Sequence, residues 1–408
     1  MKISKLFAIY GFIIFIGGGV QFFIMLRGAE GFSNQEGDLP SQIIYLTVYI
    51  ISFVALLLSK RRVSFGIIHA FWFWLLVALT CLSFLWSSAP DVTIRQAFAI
   101  LGTTLFSIYL VHNFEIQEYV KLLAISLLIT IVSSYLVISL LPNLGISHIV
   151  GSEWRGIFTH KNHLGAAASL SVLIFFYLAL TTRKGRWIWL LGLISSAGLL
   201  IGAQSAAAIM VTAFIVGVTI ILYWVKRKPL LLWEVSIGVI FFAFIFVMLF
   251  PIPTVGQVLN VFGKEETLTG RVQLWDFCTF MAEKKPLLGY GYGAFWLGLD
   301  GPSAEIWPSI NMGVGANHCH NGFIELVLAI GLIGLLITMV VYLVAIKRAA
   351  KYLTNKKYSF SYAIFFILLI WILPYNLSEQ ALLYRNSIFW VIISSVILYQ
   401  VKYKQQLE

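Results

Sequence analysis

Four short polar segments interrupt an otherwise apolar chain, and each carries side chains able to hold an anion or move a proton. The first is Glu153-Trp154-Arg155-Gly156-Ile157-Phe158-Thr159-His160-Lys161-Asn162-His163, the second Gly270-Arg271 with Trp275, the third Asn317-His318-Cys319-His320-Asn321, and the fourth Asn376-Leu377-Ser378-Glu379-Gln380. A guanidinium offers five donors in a planar fork that suits diphosphate oxygens, so Arg155 and Arg271, with Lys161, are candidate diphosphate ligands. Taken singly, each arginine reads equally well as a side chain snorkelling to lipid headgroups. His320, with an imidazole that titrates near neutrality, is the candidate general base or acceptor-positioning donor. The competing reading is a hydrogen-bonded boundary histidine. His318-Cys319-His320 does not make a metal centre by spacing: neighbouring residues rarely converge on one ion, and no downstream Cys/His pair completes a tetrahedron, so no metal is expected. Glu325 lies within an apolar stretch, where a carboxylate is functional or paired. It reads either as the ion-coupling group of a transporter or as a group facing a polar cavity. Glu379 is expected to pair with Arg385.

The elements that must position these groups are membrane helices. Hydrophobic residues make up 60% of the 408, charged residues 11%, and the mean hydropathy is +0.91. A soluble domain carries roughly a quarter charged residues. Several apolar stretches exceed the ~18 residues needed to cross about 30 Å of hydrocarbon, and they lack the alternation of a barrel. Twelve spans are expected, at 6–26, 41–59, 65–86, 94–112, 119–141, 163–180, 187–203, 206–225, 230–250, 322–346, 358–376 and 385–401. The apolar run across 187–225 is divided at Gly202-Ala203-Gln204-Ser205, where a tight polar turn fits. A net charge of +11 does not point to nucleic acid, because the basic residues recur in short clusters between spans. Lys60-Arg61-Arg62, Arg183-Lys184, Lys226-Arg227-Lys228 and Lys347-Arg348 are examples, and under the positive-inside rule they mark cytoplasmic loops and cytoplasmic termini. The four polar segments then fall on the opposite face. The first stretch is too long for a signal peptide and lacks a small-residue cleavage site, so it reads as a span.

The domain plan is nine helices over 1–250, one large extracytoplasmic loop over 251–321, and three helices with a cytoplasmic C-terminus over 322–408. Within the loop, Arg271 to Cys278 reads as the start of a short helix that stops before Pro286. Val272, Leu274, Trp275, Cys278 and Met281 cover one broad face of it. That face suits the membrane surface, a cap over the bundle, or packing inside the loop. Gly289-Tyr290-Gly291-Tyr292-Gly293 has no Lys-Ser/Thr after it and reads as a tight turn with close backbone approach. Cys81 reads as packing. Cys278 and Cys319 both fall in the loop, where an oxidising compartment permits a disulfide that their spacing does not require.

His320-Asn321, nine residues, then Gly331-Leu332-Ile333-Gly334 resembles the pattern of the O-antigen ligase and polysaccharide polymerase superfamily. Trp154 to Gly165 looks like the arginine motif of its exopolysaccharide-production branch. Thr269-Gly270-Arg271 with Trp275, Pro286-Leu287-Leu288-Gly289-Tyr290-Gly291, and Asn376-Leu377-Ser378-Glu379 also resemble that branch. The resemblance implies an all-α, GT-C-like membrane enzyme of the bacterial cytoplasmic (inner) membrane. It implies an inverting, metal-independent and cofactor-free glycosyltransferase acting on a glycan carried by undecaprenyl diphosphate. Arg155 and Arg271 would bind the diphosphate and His320 would activate the acceptor hydroxyl. Lys161, Asn162, Asn321, Trp275, Glu325 and Glu379 would support them. The implied partners are the lipid-linked oligosaccharide, membrane lipids, and polysaccharide assembly and export proteins. One departure stands out: many relatives place a basic residue after the serine in the turn where Ser205 precedes Ala206-Ala207-Ala208.

Two readings share this chemistry. One is a polymerase joining lipid-linked repeat units, and the other is a ligase passing a finished glycan to lipid A core or protein. The arginine motif favours the polymerase. A transporter or flippase using Glu325 is the reading from a different class.

Overall fold

The structure, a computed structural model, describes residues 2–28, 39–59, 70–147, 152–225, 271–306, 318–354 and 362–405. In chain order the helices are α1 (Lys2–Ile16), α2 (Gly18–Leu26), α3 (Leu39–Leu57), α4 (Phe71–Leu82), α5 (Pro90–Asn113), α6 (Ile116–Leu140), the single turn α7 (Pro142–Gly145), α8 (Lys161–Thr181), α9 (Arg186–Gly202) and α10 (Ala206–Val225). They continue with α11 (Arg271–Lys284), α12 (Gly322–Thr354), α13 (Ala363–Asn376) and α14 (Ile388–Gln405). The two-residue strands β1 (Ile146–Ser147) and β2 (Glu153–Trp154) pair antiparallel and close the segment that carries Arg155.

The chain is an all-α multi-pass membrane protein, but the expected twelve spans and GT-C-like layout do not hold. Among the described residues, six helices are long and apolar enough to cross a membrane, and a seventh arises if α1 and α2, bent by 61°, make one span. The expectation failed because an apolar run is not a helix of spanning length. α13 has 14 residues, about 21 Å at 1.5 Å per residue, against roughly 30 Å of hydrocarbon. α4 with its 3₁₀ extension and α9 are short in the same way. The expected span 230–250 lies outside the described residues. The described part of the expected large loop holds α11 and two short 3₁₀ turns, which do not single out a GT-C-like extracytoplasmic loop.

The apolar residues of α13 fill a core instead of spanning lipid. Ala363 to Ile372 of α13 are all buried, and Trp371 stacks on Phe389 of α14 and on Tyr375. α11 builds a second, smaller core. Leu274, Cys278 and Met281 pack with Tyr290, Phe295, Trp296, Cys319 and Leu328, so the apolar face of this helix packs both on the loop residues and on the first turns of α12.

α12 is broken at the Gly331 position. Ile330 (φ −135°, ψ 15°) and Gly331 (φ 69°, ψ −174°) leave the helical conformation. The segment 286–291 crosses the break and satisfies its exposed backbone groups. Tyr290 N–H donates to Leu328 O (2.7 Å) and Gly291 N–H to Ala329 O (3.0 Å). Leu332 N–H donates to Pro286 O (2.8 Å) and Ile333 N–H to Leu287 O (3.2 Å). Non-helical backbone within a spanning helix is tolerated only with such internal partners. A Cβ at Gly331 would stand 2.0 Å from Leu287 O, so only glycine fits. Gly331, the first of the two spaced glycines read from the sequence, is therefore the site of a helix break that ties the segment 286–291 to α12.

Candidate active site

Two elements deliver polar side chains to one carboxylate held by a third. Asn162 comes from the first turn of α8, His318 and His320 from the segment preceding α12, and Glu379 from the loop between α13 and α14. Each is placed by local backbone chemistry. His160 caps α8, its Nδ1 accepting from Asn162 N–H at 3.2 Å. Asn321 caps α12, its Oδ1 accepting from Phe323 N–H (3.0 Å) and Ile324 N–H (3.3 Å). Asn321 is thus a helix cap whose position sends the preceding histidines inward. Asn376 ends α13, and its Oδ1 accepts from Ala381 N–H and Leu382 N–H, both at 2.9 Å, which folds the loop holding Glu379. A Cβ on Gly322 would overlap Asn376 Oδ1 at 1.9 Å, so glycine here lets α12 start against that loop.

Glu379 Oε1 accepts from Asn162 Nδ2 at 2.7 Å, and its Oε2 accepts from His318 Nε2 at 3.1 Å. His320 Nδ1 lies 3.2 Å from both oxygens. The His318 and His320 rings are 3.9 Å apart between centroids. Burial by itself would raise the Glu379 carboxyl, but hydrogen bonds from His318 and His320 outweigh it and hold the group well below the usual carboxylate range. An ionised carboxylate only accepts hydrogen bonds, so His320 donates Nδ1–H to Glu379. His320 also has a left-handed backbone (φ 52°), a conformation that costs about 1–3 kcal/mol for a residue other than glycine. The side chain of Glu379 is 13% exposed and that of His320 28%, so the imidazole sits at the mouth of the cluster.

Two other expected site residues, Glu325 and Trp275, hold the backbone between the histidines. Glu325 is buried and receives Trp296 Nε1–H at 3.0 and 3.1 Å and Cys319 N–H at 2.5 Å. That is the paired reading of this carboxylate, and it pins the backbone between the two histidines. Trp275 Nε1 donates to Cys319 O at 2.7 Å, tying α11 to the same residue from the other side. Cys278 and Cys319 are free thiols with sulfurs 2.6 Å apart, and burial pushes the Cys319 thiol well above its ordinary range. Lys161 pairs with Glu153.

Arg155 Nε donates to Leu144 O at 2.8 Å and Nη1 to Thr159 O at 3.5 Å, which fastens the motif to the α7 turn. Arg271 is the first residue of α11, one helical turn before Trp275; its side chain, like Thr269, Gly270 and Asn317, lies outside what the structure describes.

Several contributors escaped the sequence reading. Ser205, noted only as a departure, donates to Asn162 Oδ1 at 3.2 Å and so orients the amide that holds Glu379. Its position in the turn between α9 and α10 was the available signal. Gln21 of α2 gives its Oε1 to Thr159 N–H, Thr159 Oγ1–H and His163 Nδ1–H, each at 3.0 Å. It lies over a hundred residues from the motif it braces, and nothing local in the sequence marks it. His318, two residues before His320, shares the same carboxylate.

Residues 191–339 match the family model described as O-Antigen ligase. The chain is 29% identical over 318 residues to the exopolysaccharide production protein ExoQ of Rhizobium meliloti (strain 1021), covering 73% of this chain and 70% of that protein. The matched stretch runs from α9 into α12 and includes Ser205, Trp275, His320 and the glycine break. The chain therefore has homology to the O-antigen ligase family and to an exopolysaccharide-production protein, which supports the polysaccharide polymerase and ligase superfamily read from its motifs.

Proposed function

We propose that this protein is a polysaccharide polymerase that joins undecaprenyl-diphosphate-linked repeat units into an exopolysaccharide by inverting glycosyl transfer. Its site faces away from the cytoplasm, and both termini are cytoplasmic. The observation that carries the reading is the chain Ser205–Asn162–Glu379–His320, in which a buried carboxylate fixes the tautomer of an imidazole at the mouth of the cluster. His320 Nε2 takes the proton of the acceptor hydroxyl as its oxygen attacks the anomeric carbon. The bond from that carbon to the lipid diphosphate breaks, and the diphosphate leaves with the bonding electron pair. Glu379 stabilises the imidazolium that forms, the role that a buried carboxylate plays beside a catalytic histidine elsewhere. Arg155 and Arg271 receive the diphosphate, and the N-terminus of α8 adds the positive end of its dipole to the same region. Because negative charge grows on the leaving group, fixed cations lower the barrier without a metal.

The test is transfer in proteoliposomes from a lipid-linked oligosaccharide, with products resolved by size for wild type, Arg155→Ala, Arg271→Ala and His320→Ala. Loss of chain growth in the variants is the expected outcome. Full transfer by all three overturns the site. In cells, deletion of the gene is expected to leave single lipid-linked units; long lipid-linked chains would instead identify a ligase.

A further inference from the structure

The groups that orient His320 also satisfy the requirements of a cation site. His318 Nε2, His320 Nδ1 and a Glu379 oxygen lie within 4.8 Å of one another. In a tetrahedral site with bonds of about 2.0–2.1 Å, neighbouring ligand atoms stand roughly 3.3 Å apart. The two nitrogen-to-oxygen separations are already 3.1 and 3.2 Å. Only the nitrogen-to-nitrogen edge must shorten, and the side chain of His318, 34% exposed, is the one with room to move. The carboxylate is held from behind by Asn162, and Asn162 by Ser205, the kind of outer support that orients metal ligands. Sequence spacing concealed this arrangement because the third ligand arrives from a loop 59 residues beyond His320.

We propose that His318, His320 and Glu379 form a site for a zinc-class divalent cation, and that its occupation arrests the enzyme. Two imidazole nitrogens with one carboxylate oxygen suit zinc, cobalt or nickel, whereas magnesium and calcium prefer oxygen-only shells. The arrest follows from the tautomer and rests on the glycosyl-transfer reading. When Nδ1 of His320 gives its lone pair to the ion, its proton moves to Nε2. The ring stays neutral but no longer has a lone pair for the acceptor hydroxyl. His318 makes the converse shift, from Nε2–H to Nδ1–H. One imidazole cannot serve as metal ligand through Nδ1 and as base through Nε2 with its proton count unchanged. The ion is therefore an inhibitor of this centre and takes no part in its reaction.

The experiment uses the full chain, stripped of metal and reconstituted in lipid nanodiscs. Zinc is titrated against a chromogenic chelator, cobalt serves as a spectroscopic probe of ligand geometry, and transfer is assayed alongside. One zinc per chain is expected to bind wild type, with cobalt giving a tetrahedral spectrum. His318→Ala is expected to weaken binding by about 100-fold or more, since loss even of an outer support costs 10–100-fold. Zinc is expected to abolish wild-type transfer reversibly, with recovery on chelation. In unmutated protein, zinc is expected to slow diethyl pyrocarbonate modification of His318 and His320, a readout that does not depend on any variant folding. Equal binding by His318→Ala, absence of protection, or stimulation of transfer by zinc each overturns the proposal. If zinc fails to bind while wild type transfers glycan, the cation site falls and the transferase reading stands. If zinc binds at these residues and no lipid-linked donor is ever turned over, the site stands and the transferase reading falls.

Discussion

Replacing Glu379 by glutamine isolates the claim that this carboxylate sets the tautomer of His320. The two Glu379 oxygens receive donors from Asn162 at 2.7 Å, His318 at 3.1 Å and His320 at 3.2 Å. A glutamine offers one carbonyl oxygen and one amide nitrogen in the same volume. With Asn162 donating to the oxygen, the new N–H₂ points at the histidines and favours an accepting Nδ1 on His320. The proton then rests on Nε2 and the lone pair for the acceptor hydroxyl is lost. General-base catalysis contributes about 10²–10⁴-fold, so kcat should fall by that factor, a barrier increase of about 3–5 kcal/mol. KM for the lipid-linked donor should change less than about threefold, because no diphosphate ligand is touched. The assay is single-turnover and steady-state transfer in nanodiscs, with thermal unfolding as the control for folding. His320→Ala should show a similar loss. The double variant should lose little more than either single one, since residues that act as a unit are not additive. Transfer by Glu379→Gln within about tenfold of wild type, or multiplicative losses in the double variant, would refute the reasoning.

Gly331→Ala forces a side chain into a left-handed backbone and toward Leu287 O, so it should lower stability by more than the ~1–3 kcal/mol of strain alone, measured as the midpoint of thermal unfolding in detergent. Ser205→Ala removes a single hydrogen bond to Asn162, worth about 0.5–1.5 kcal/mol; kcat should drop roughly two- to tenfold with the fold intact. Oxidised glutathione should join Cys278 to Cys319, leaving only Cys81 open to alkylation after denaturation, and should raise stability by about 2–4 kcal/mol for a crosslink spanning 41 residues. Stability should also fall on the acid side. Burial lowers His160 from its ordinary 6.5, partly opposed by Glu379, and Glu379 lies well below its ordinary 4.5. Both groups bind protons more readily when unfolded, so their contributions are complete above about pH 6.5 and decline as pH falls, first through His160 and then through Glu379. A denaturation midpoint that is constant from pH 7 to pH 4 would contradict this.

Membrane residence was legible because composition alone forbids a soluble fold: with 60% hydrophobic and 11% charged residues, no water-facing surface can be built. The turn at Ser205 was legible because backbone conformation there is a local property of residue type, whereas the break at Gly331 was not, since one unbroken span over 322–346 was expected. Span number was not, since apolarity reports that a residue avoids water without saying whether it meets lipid or another helix. α13 shows the difference: ten consecutive apolar residues from Ala363 to Ile372 are buried in protein. At the candidate site, the residue types in the four polar segments announced a basic and imidazole-rich chemistry, and that much came from sequence. What only the tertiary structure decided is which carboxylate serves which histidine. Asn162 and His320 lie 217 and 59 residues from Glu379 along the chain, and no spacing rule links them. They meet because α8, α12 and α13 begin or end at one level of the bundle, where capped helix termini turn their polar ends toward each other.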